Sequence, residues 1–299
     1  MSVREPEVLN STYIPKDYSL TGPLNKQAVE RGLANAEWYR TDISRARMKE
    51  LMQRSDGPAT RDTVIWLGSM ILLAVGAIYL WPSFWSVPLF LAYGVLYGSA
   101  SDSRWHECGH GTAFRTPWKN VAVYQLASFM IMRNPVIWKW SHSRHHTDTI
   151  IVGRDPEIVA MRPPDLLRLA LNFFGLVDAP TALWQTLRHA IGVLSADEKD
   201  FVPESEWPKV YQVARIWVLI YAATIALCYA THSILPLMLI GLPRLYGTWH
   251  AHLCGLTQHI GLAEDVLDHR QNCRTVYMNP VSRFIYWNMN YHVEHHLSL

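Results

Sequence analysis

Eight histidines stand in three short clusters. His106 and His110 lie four apart in His-Glu-Cys-Gly-His. His142, His145 and His146 form His-Ser-Arg-His-His, and His292, His295 and His296 form His-Val-Glu-His-His. On a helix, residues three and four apart share a face, so each cluster aims two or three imidazoles at one place. Imidazole suits iron, zinc and copper, and eight of them exceed what one tetrahedral zinc can use. Two metal ions fit the count. With 14 histidines in 299 residues, the pattern His-x-x-His-His is expected about 0.03 times by chance. It occurs twice.

Polar neighbours form a second tier. A ligating imidazole usually hands its other N–H to a carboxylate or carbonyl, which fixes the tautomer. Glu107 and Glu294 lie inside clusters, Asp148 and Asp155 follow the second, and Asn288 and Asn290 precede the third. These six are candidates for that role, the alternative being solvated or structural groups.

Two other chemistries compete. His106-Glu107-Cys-Gly-His110 also fits His-Glu-x-x-His, in which two histidines bind zinc and the glutamate is the base of a protease. An intramembrane zinc protease would leave six cluster histidines idle. It would also need a later acidic ligand such as Asp-Gly, and the one such pair, Asp56-Gly57, lies upstream. A metal transporter or haem protein would want histidine or methionine along a path through the bilayer, whereas these histidines sit at the ends of the apolar segments.

Those segments must position the clusters. Charged residues make up 17% of the chain and apolar ones 49%, with 13 Trp and 14 Tyr, a balance expected of a membrane protein. Residues 1–62 are polar, carry ten Lys or Arg, and read as a soluble arm with one helix over about 25–53. The arm begins without an apolar core or cleavage site, so no cleavable signal peptide is expected. Residues 63–101 contain no Lys, Arg, Asp or Glu. That is too long for one span, and Pro82 near its middle splits it into helices over about 64–81 and 85–100. The second should run straight into His106. A further charge-free stretch, 216–243, reads as a hairpin over about 211–230 and 234–253. The run 121–132 is too short to span and reads as an interfacial or re-entrant helix. Two long uncharged hairpins are hard to house in a soluble core of this size. The fold class is therefore all-α integral membrane, with four spans in two hairpins under a cytoplasmic helical cap, the catalytic domain covering 63–299. The hairpin tips carry no basic residue, which puts the arm, the N-terminus and all three clusters on the cytoplasmic side.

The three histidine boxes resemble those of the membrane fatty acid desaturase superfamily, which includes alkane and carotenoid hydroxylases, over roughly residues 60–299. The stretches Tyr93-Gly-Val-Leu-Tyr-Gly-Ser-Ala-Ser-Asp-Ser-Arg-Trp-His-Glu-Cys-Gly-His and Asp148-Thr-Ile-Ile-Val-Gly-Arg-Asp-Pro-Glu are similar to a bacterial branch that includes rhizopine oxygenases. The resemblance implies two iron ions, O2 as co-substrate, and oxidation of C–H bonds. The outcome would be desaturation or hydroxylation of a lipid or acyl substrate. For the nearer branch it would be oxidative demethylation of a small methylated compound. It also implies a bacterial inner membrane. The family usually has a further histidine on or after the last membrane helix, and His259 is the candidate here. His252, seven residues earlier, and His250 are alternatives near it. His189, His232 and His269 lie outside any cluster and read as ordinary surface or interface residues.

Electrons must come from outside. Cys108, Cys228, Cys254 and Cys273 form no Cys-x-x-Cys pair, and the chain has neither a Gly-x-Gly-x-x-Gly fingerprint nor the His-Pro-Gly-Gly of a cytochrome b5. A ferredoxin-like donor with its reductase is expected, of Rieske type if the branch resemblance holds. A net charge of +2 gives no pointer to nucleic acid.

Overall fold

A computed structural model describes residues 16–158 and 161–297. Among them regular structure is helical, with one isolated bridge between Thr275 and Tyr291. The expected arm helix is two short ones, α1 (Pro23–Glu30) and α2 (Arg45–Leu51). Gly32 and Asn35, both at positive φ, turn the chain between them. That turn lets Trp38 donate its indole N–H to the Thr147 carbonyl at 2.9 Å, and Ala28 and Leu33 pack on Ile151. Arg31 pairs with Asp265 at 2.8 Å. The arm thus straps down the segments around the second histidine box. Residues 1–15 of the expected arm lie outside the described residues.

Helix α3 (Gly57–Tyr79) starts earlier than expected because Gly57-Pro58 supplies a proline in the first turn, where its missing N–H costs nothing. At 23 residues it is about 34 Å long, enough to cross a bilayer core. It returns as α4 (Ser86–Gly98), and after one residue, Ser99, the chain continues as α5 (Ala100–Gly109). Helix α11 (Trp207–Thr231) is the second long apolar helix. Only 17% of the most apolar window of α3 and of α11 is buried, and Leu72 and Leu219 are 75% and 69% exposed. A soluble core helix would hide these residues; helices facing lipid present them. Among the described residues, these two alone are long and apolar enough to span.

The expected fourth span is broken. In place of one helix over 234–253 stand α12 (Leu235–Leu239), α13 (Pro243–Tyr246) and α14 (Trp249–His259). Pro236 and Pro243 remove backbone donors, and Gly241 sits at φ +96°. Gly247 then crosses Gly94 so closely that a Cβ on Gly247 would collide with the Gly94 backbone. Ser99 clamps the crossing, donating to the Gly247 carbonyl at 2.6 Å and accepting from the Ala251 N–H at 3.0 Å. This crossing sets α14 beside α5.

The other helices complete the frame. Helix α6 (Pro117–Met130) covers the expected interfacial run, and α7 (Pro135–Thr147) carries the second box. Helices α8 (Leu166–Asn172), α9 (Asp178–Ala190) and α10 (Ala196–Phe201) lead to α11, and α15 (His269–Asn272), α16 (Pro280–Ile285) and α17 (His292–Leu297) close the described chain. The largest buried cluster joins α3 through α7, with Trp66, Tyr97, Trp105, Tyr124, Ile131 and Trp138 at its heart.

Candidate metal centre

Each box reaches the centre for a local reason. Helix α7 starts where Asn134 accepts from the N–H groups of Val136 and Ile137, with Pro135 in the first turn. The Tyr124 hydroxyl fixes that end by donating to the Pro135 carbonyl at 2.5 Å. Helix α5 is anchored by Arg104, which is fully buried. Its guanidinium donates to the carbonyls of Ala100 and Ile285 at 2.9 and 3.3 Å, and lies 5.0–5.2 Å from the rings of Trp66, Phe284 and Trp287. Cation–π contact and carbonyl acceptors replace the missing carboxylate. Because Ile285 and Phe284 end α16, the same arginine ties the first box to the third. Helix α17 enters after Trp287 and Asn288, both in the left-handed region.

Nine imidazoles meet. His106, His110, His142, His146 and His295 form one group; His145, His259, His292 and His296 form the other. Within each, one ligand atom per residue lies within 4.8 Å of all the rest. The Nε2 of His142 is 3.0 Å from those of His110 and His146, and His295 Nε2 is 3.1 Å from His146 Nε2. In the second group, His292 Nε2 is 2.8 Å from His259 Nε2 and 3.1 Å from His296 Nε2. Neutral imidazole Nε2 atoms with lone pairs turned toward one another at this distance are arranged to share a cation.

The outer nitrogens explain why the inner ones are free. His106 Nδ1 meets Glu107 at 3.0 Å, His142 Nδ1 meets Glu157 at 2.7 Å, and His145 Nδ1 meets Asp155 at 2.8 Å. His259 Nδ1 donates to the Asn272 carbonyl at 2.8 Å, and His296 Nδ1 lies 3.3 Å from the Thr149 hydroxyl. Each contact places the N–H outside and leaves Nε2 as a donor atom toward the centre. His106 Nε2 is buried and has no hydrogen-bond partner, a costly state for a polar atom unless a metal takes the lone pair.

Burial sets the protonation state. It pushes His106, His110 and His259 down to about 3 and His295 to about 2, with neighbouring histidines adding to the effect. The same causes hold His142, His146, His292 and His296 well below the ordinary histidine range. Burial also works against a charge on His145, but Asp155 outweighs it and raises that imidazole. Glu157, half-buried beside the centre, is pushed up to about 7 by desolvation of its carboxylate. At neutral pH eight of the nine imidazoles are therefore neutral and able to donate.

Of the sequence candidates, the structure gathers all eight box histidines and His259, and it sets Glu107 and Asp155 on their outer nitrogens. The others need correction. Asp148 turns away to Arg154 at 2.9 Å. Glu294 is exposed and accepts from the Thr275 hydroxyl. Asn290 donates to the Val276 carbonyl at 2.8 Å, and Asn288 shapes the turn before α17. His252 bonds the Leu169 carbonyl at 3.0 Å and His250 lies against Cys254, so neither joins a histidine group. His189 is a buried partner of Glu198 at 2.9 Å, not a surface residue. His269 is buried too, stacked on Trp38 at 4.2 Å and 5.0 Å from the His296 ring.

Sequence reasoning missed Glu157, Thr149 and the Asn272 carbonyl. Glu157 stands fifteen residues after its histidine, a separation that no helical or strand period relates. It arrives because Ile150 and Gly153, both at positive φ, fold 148–157 back along α7. Asp155 locks that turn by accepting from the N–H groups of Ile150 and Glu157 at 2.7 and 2.8 Å. Asp56, the acidic ligand a zinc protease would require, instead caps Thr116 and pairs with Lys119 at 3.0 Å.

A family model for fatty acid desaturases matches residues 79–298. The chain belongs to the fatty acid desaturase family. No curated protein sequence matches it. Membership makes the protein a membrane-associated enzyme of the desaturase or hydroxylase type, an oxidoreductase from a family that uses iron, and the match spans all three boxes and the His259 segment.

Proposed function

We propose that the nine histidines hold two iron ions, one in the five-histidine group and one in the four-histidine group, and that the protein uses O2 to oxidise a C–H bond. The observation that carries this reading is the pair of converging Nε2 sets, with the outer nitrogens of His106, His142, His145, His259 and His296 held by protein groups. The iron pair would supply O2 activation and removal of hydrogen from carbon. The protein's own residues do the rest. Glu107, Glu157 and Asp155 hold three imidazoles in the donating tautomer, and the stacking of Trp138 on His142 at 4.3 Å keeps one ring from turning. Glu157 also accepts from the Ser141 hydroxyl at 2.6 Å, which fixes the carboxylate that orients His142.

Helix α4 and the broken run from α12 into the start of α14 complete the second and fourth crossings in this reading, with α5, the end of α14, the boxes and the arm in the cytoplasm of a bacterial inner membrane. A ferredoxin-like donor docks on that face. The product is a desaturated or hydroxylated lipid or acyl chain, or a demethylated small compound. The deciding measurement is iron stoichiometry of the purified protein, beside turnover with a ferredoxin and reductase, for the wild type and His145→Ala. Two irons per chain, with loss of iron and turnover in the variant, are expected. Full iron and turnover in His145→Ala would sink the assignment.

A further inference from the structure

A sulfur-containing donor set lies against the four-histidine group. His269 and Cys273 stand four apart across α15, and the Cys273 N–H bonds the His269 carbonyl at 2.9 Å, so one face carries both side chains. With His296 they form a third group, in which one ligand atom per residue lies within 4.8 Å of the others and all three residues are buried. The His269 ring is fixed by its stack on Trp38, 4.2 Å away and within 2° of parallel, and lies 5.0 Å from the His296 ring. Its Nδ1 is buried with no hydrogen-bond partner, a costly state that a metal ion would relieve. The Cys273 thiol donates to Asn272 Oδ1 at 3.2 Å, a weak bond that coordination would replace. Asn272 in turn ties the segment to the centre. Its side chain donates to the Thr149 carbonyl at 2.9 Å, and its own carbonyl accepts from His259 Nδ1 at 2.8 Å.

We propose that His269, Cys273 and His296 form a third metal position, for a thiophilic divalent ion of the zinc class, and that filling it takes His296 from the four-histidine group. It rests on the di-iron reading for the identity of the neighbouring ion. One thiolate beside two imidazoles is a set that suits zinc, whereas the two histidine groups offer no sulfur. Binding releases the thiol proton to solvent and forms one metal–sulfur and two metal–nitrogen bonds, with no change of oxidation state. His296 serves one ion at a time. Its Nδ1 faces the Thr149 hydroxyl at 3.3 Å, which leaves the single lone pair of Nε2, 3.1 Å from His292 Nε2, as the donor. A zinc-class ion at the third position therefore leaves His145, His259 and His292 to the four-histidine group.

The test is zinc X-ray absorption of the purified, iron-loaded protein in detergent after one equivalent of zinc, with iron counted in the same sample. One sulfur at about 2.3 Å and nitrogens at about 2.0–2.1 Å from zinc are expected, with the iron content unchanged. Cys273→Ser should remove the sulfur and weaken zinc binding at least tenfold in competition with a chelator. His269→Phe, which keeps a ring against Trp38, should weaken it as much, and both variants should keep wild-type iron. Zinc held by nitrogen alone, zinc bound with loss of iron, no zinc bound, or an affinity unmoved by both variants overturns the proposal. The wild-type spectrum carries the result even where a variant fails to fold. Wild-type protein that holds no iron would overturn the di-iron reading instead, and the zinc–sulfur signal would still report on the third position.

Discussion

The two His-x-x-His-His boxes share one spacing and divide it in opposite ways. On α7 the pair His142 and His146 enters the five-histidine group, and His145 goes to the other. On α17 the pair His292 and His296 enters the four-histidine group, and His295 crosses over. Helical periodicity explains the split: positions i and i+4 differ by about 40° around the axis, whereas i+3 and i+4 differ by about 100°. It does not explain the opposite allocation, which follows from α7 and α17 approaching the centre from different sides. Each group therefore takes a pair from one box and a single histidine from the other, so neither group can form without both helices in place. The groups also differ in exposure. His110, His146 and His295 are partly exposed, whereas His259 alone is so in the four-histidine group.

That contrast can be broken in graded steps. The largest effect should come from His145→Ala, which cuts the four-histidine group to three ligands and removes the imidazole partner of Asp155; iron should fall toward one per chain by metal analysis. His295→Ala leaves four histidines in its group, so it should keep more iron than His145→Ala and lose it faster to a chelator. Equal losses would dissolve the distinction between the groups. Next in size are the outer partners. Asp155→Asn and Glu157→Gln should each weaken iron binding about 10- to 100-fold, measured by competition with a chelator. Asp155→Asn should be the worse, because Asp155 also holds the Ile150 and Glu157 N–H groups.

Acid should sharpen the picture. The folded protein keeps its buried imidazoles neutral down to about 3, whereas the unfolded chain protonates near 6.5. Below that value the unfolded state binds more protons, so metal-free protein should be fully stable above about pH 6.5 and lose stability as pH falls toward 3. Denaturation curves of metal-free protein across pH 7.5 to 4.5 check the slope; a flat profile would contradict the neutral, buried state. The smallest effect belongs to Glu294→Gln, an exposed box residue bonded to Thr275. Its stability should change by no more than about 0.5 kcal/mol, with iron content unchanged.

The structure bears on the sequence reading unevenly, and for identifiable reasons. The long helices α3 and α11 were legible because an unbroken apolar run has few alternatives. The broken run α12–α14 was not, because Pro236, Gly241 and Pro243 sit in a stretch whose composition alone still looks like a span. The single arm helix failed for a related reason: Gly32 and Asn35 turn the chain so that Trp38 can reach Thr147, a contact across more than a hundred residues. Glu107 and Asp155 could be found next to their boxes, while Glu157 could not, since the turn that delivers it depends on left-handed residues packed against the arm.

The amino-acid sequence by itself determined the donor chemistry: three helical clusters of imidazole, their i, i+3, i+4 spacing, and the apolar segments that flank them. These are local properties, set by residue type and helix period. Only the tertiary structure decided which histidine joins which group, and that His259 rather than His252 turns inward. Such outcomes depend on how helices far apart in the chain cross, and Gly94 against Gly247 and Arg104 against the α16 carbonyls fix those crossings through contacts that no local pattern encodes.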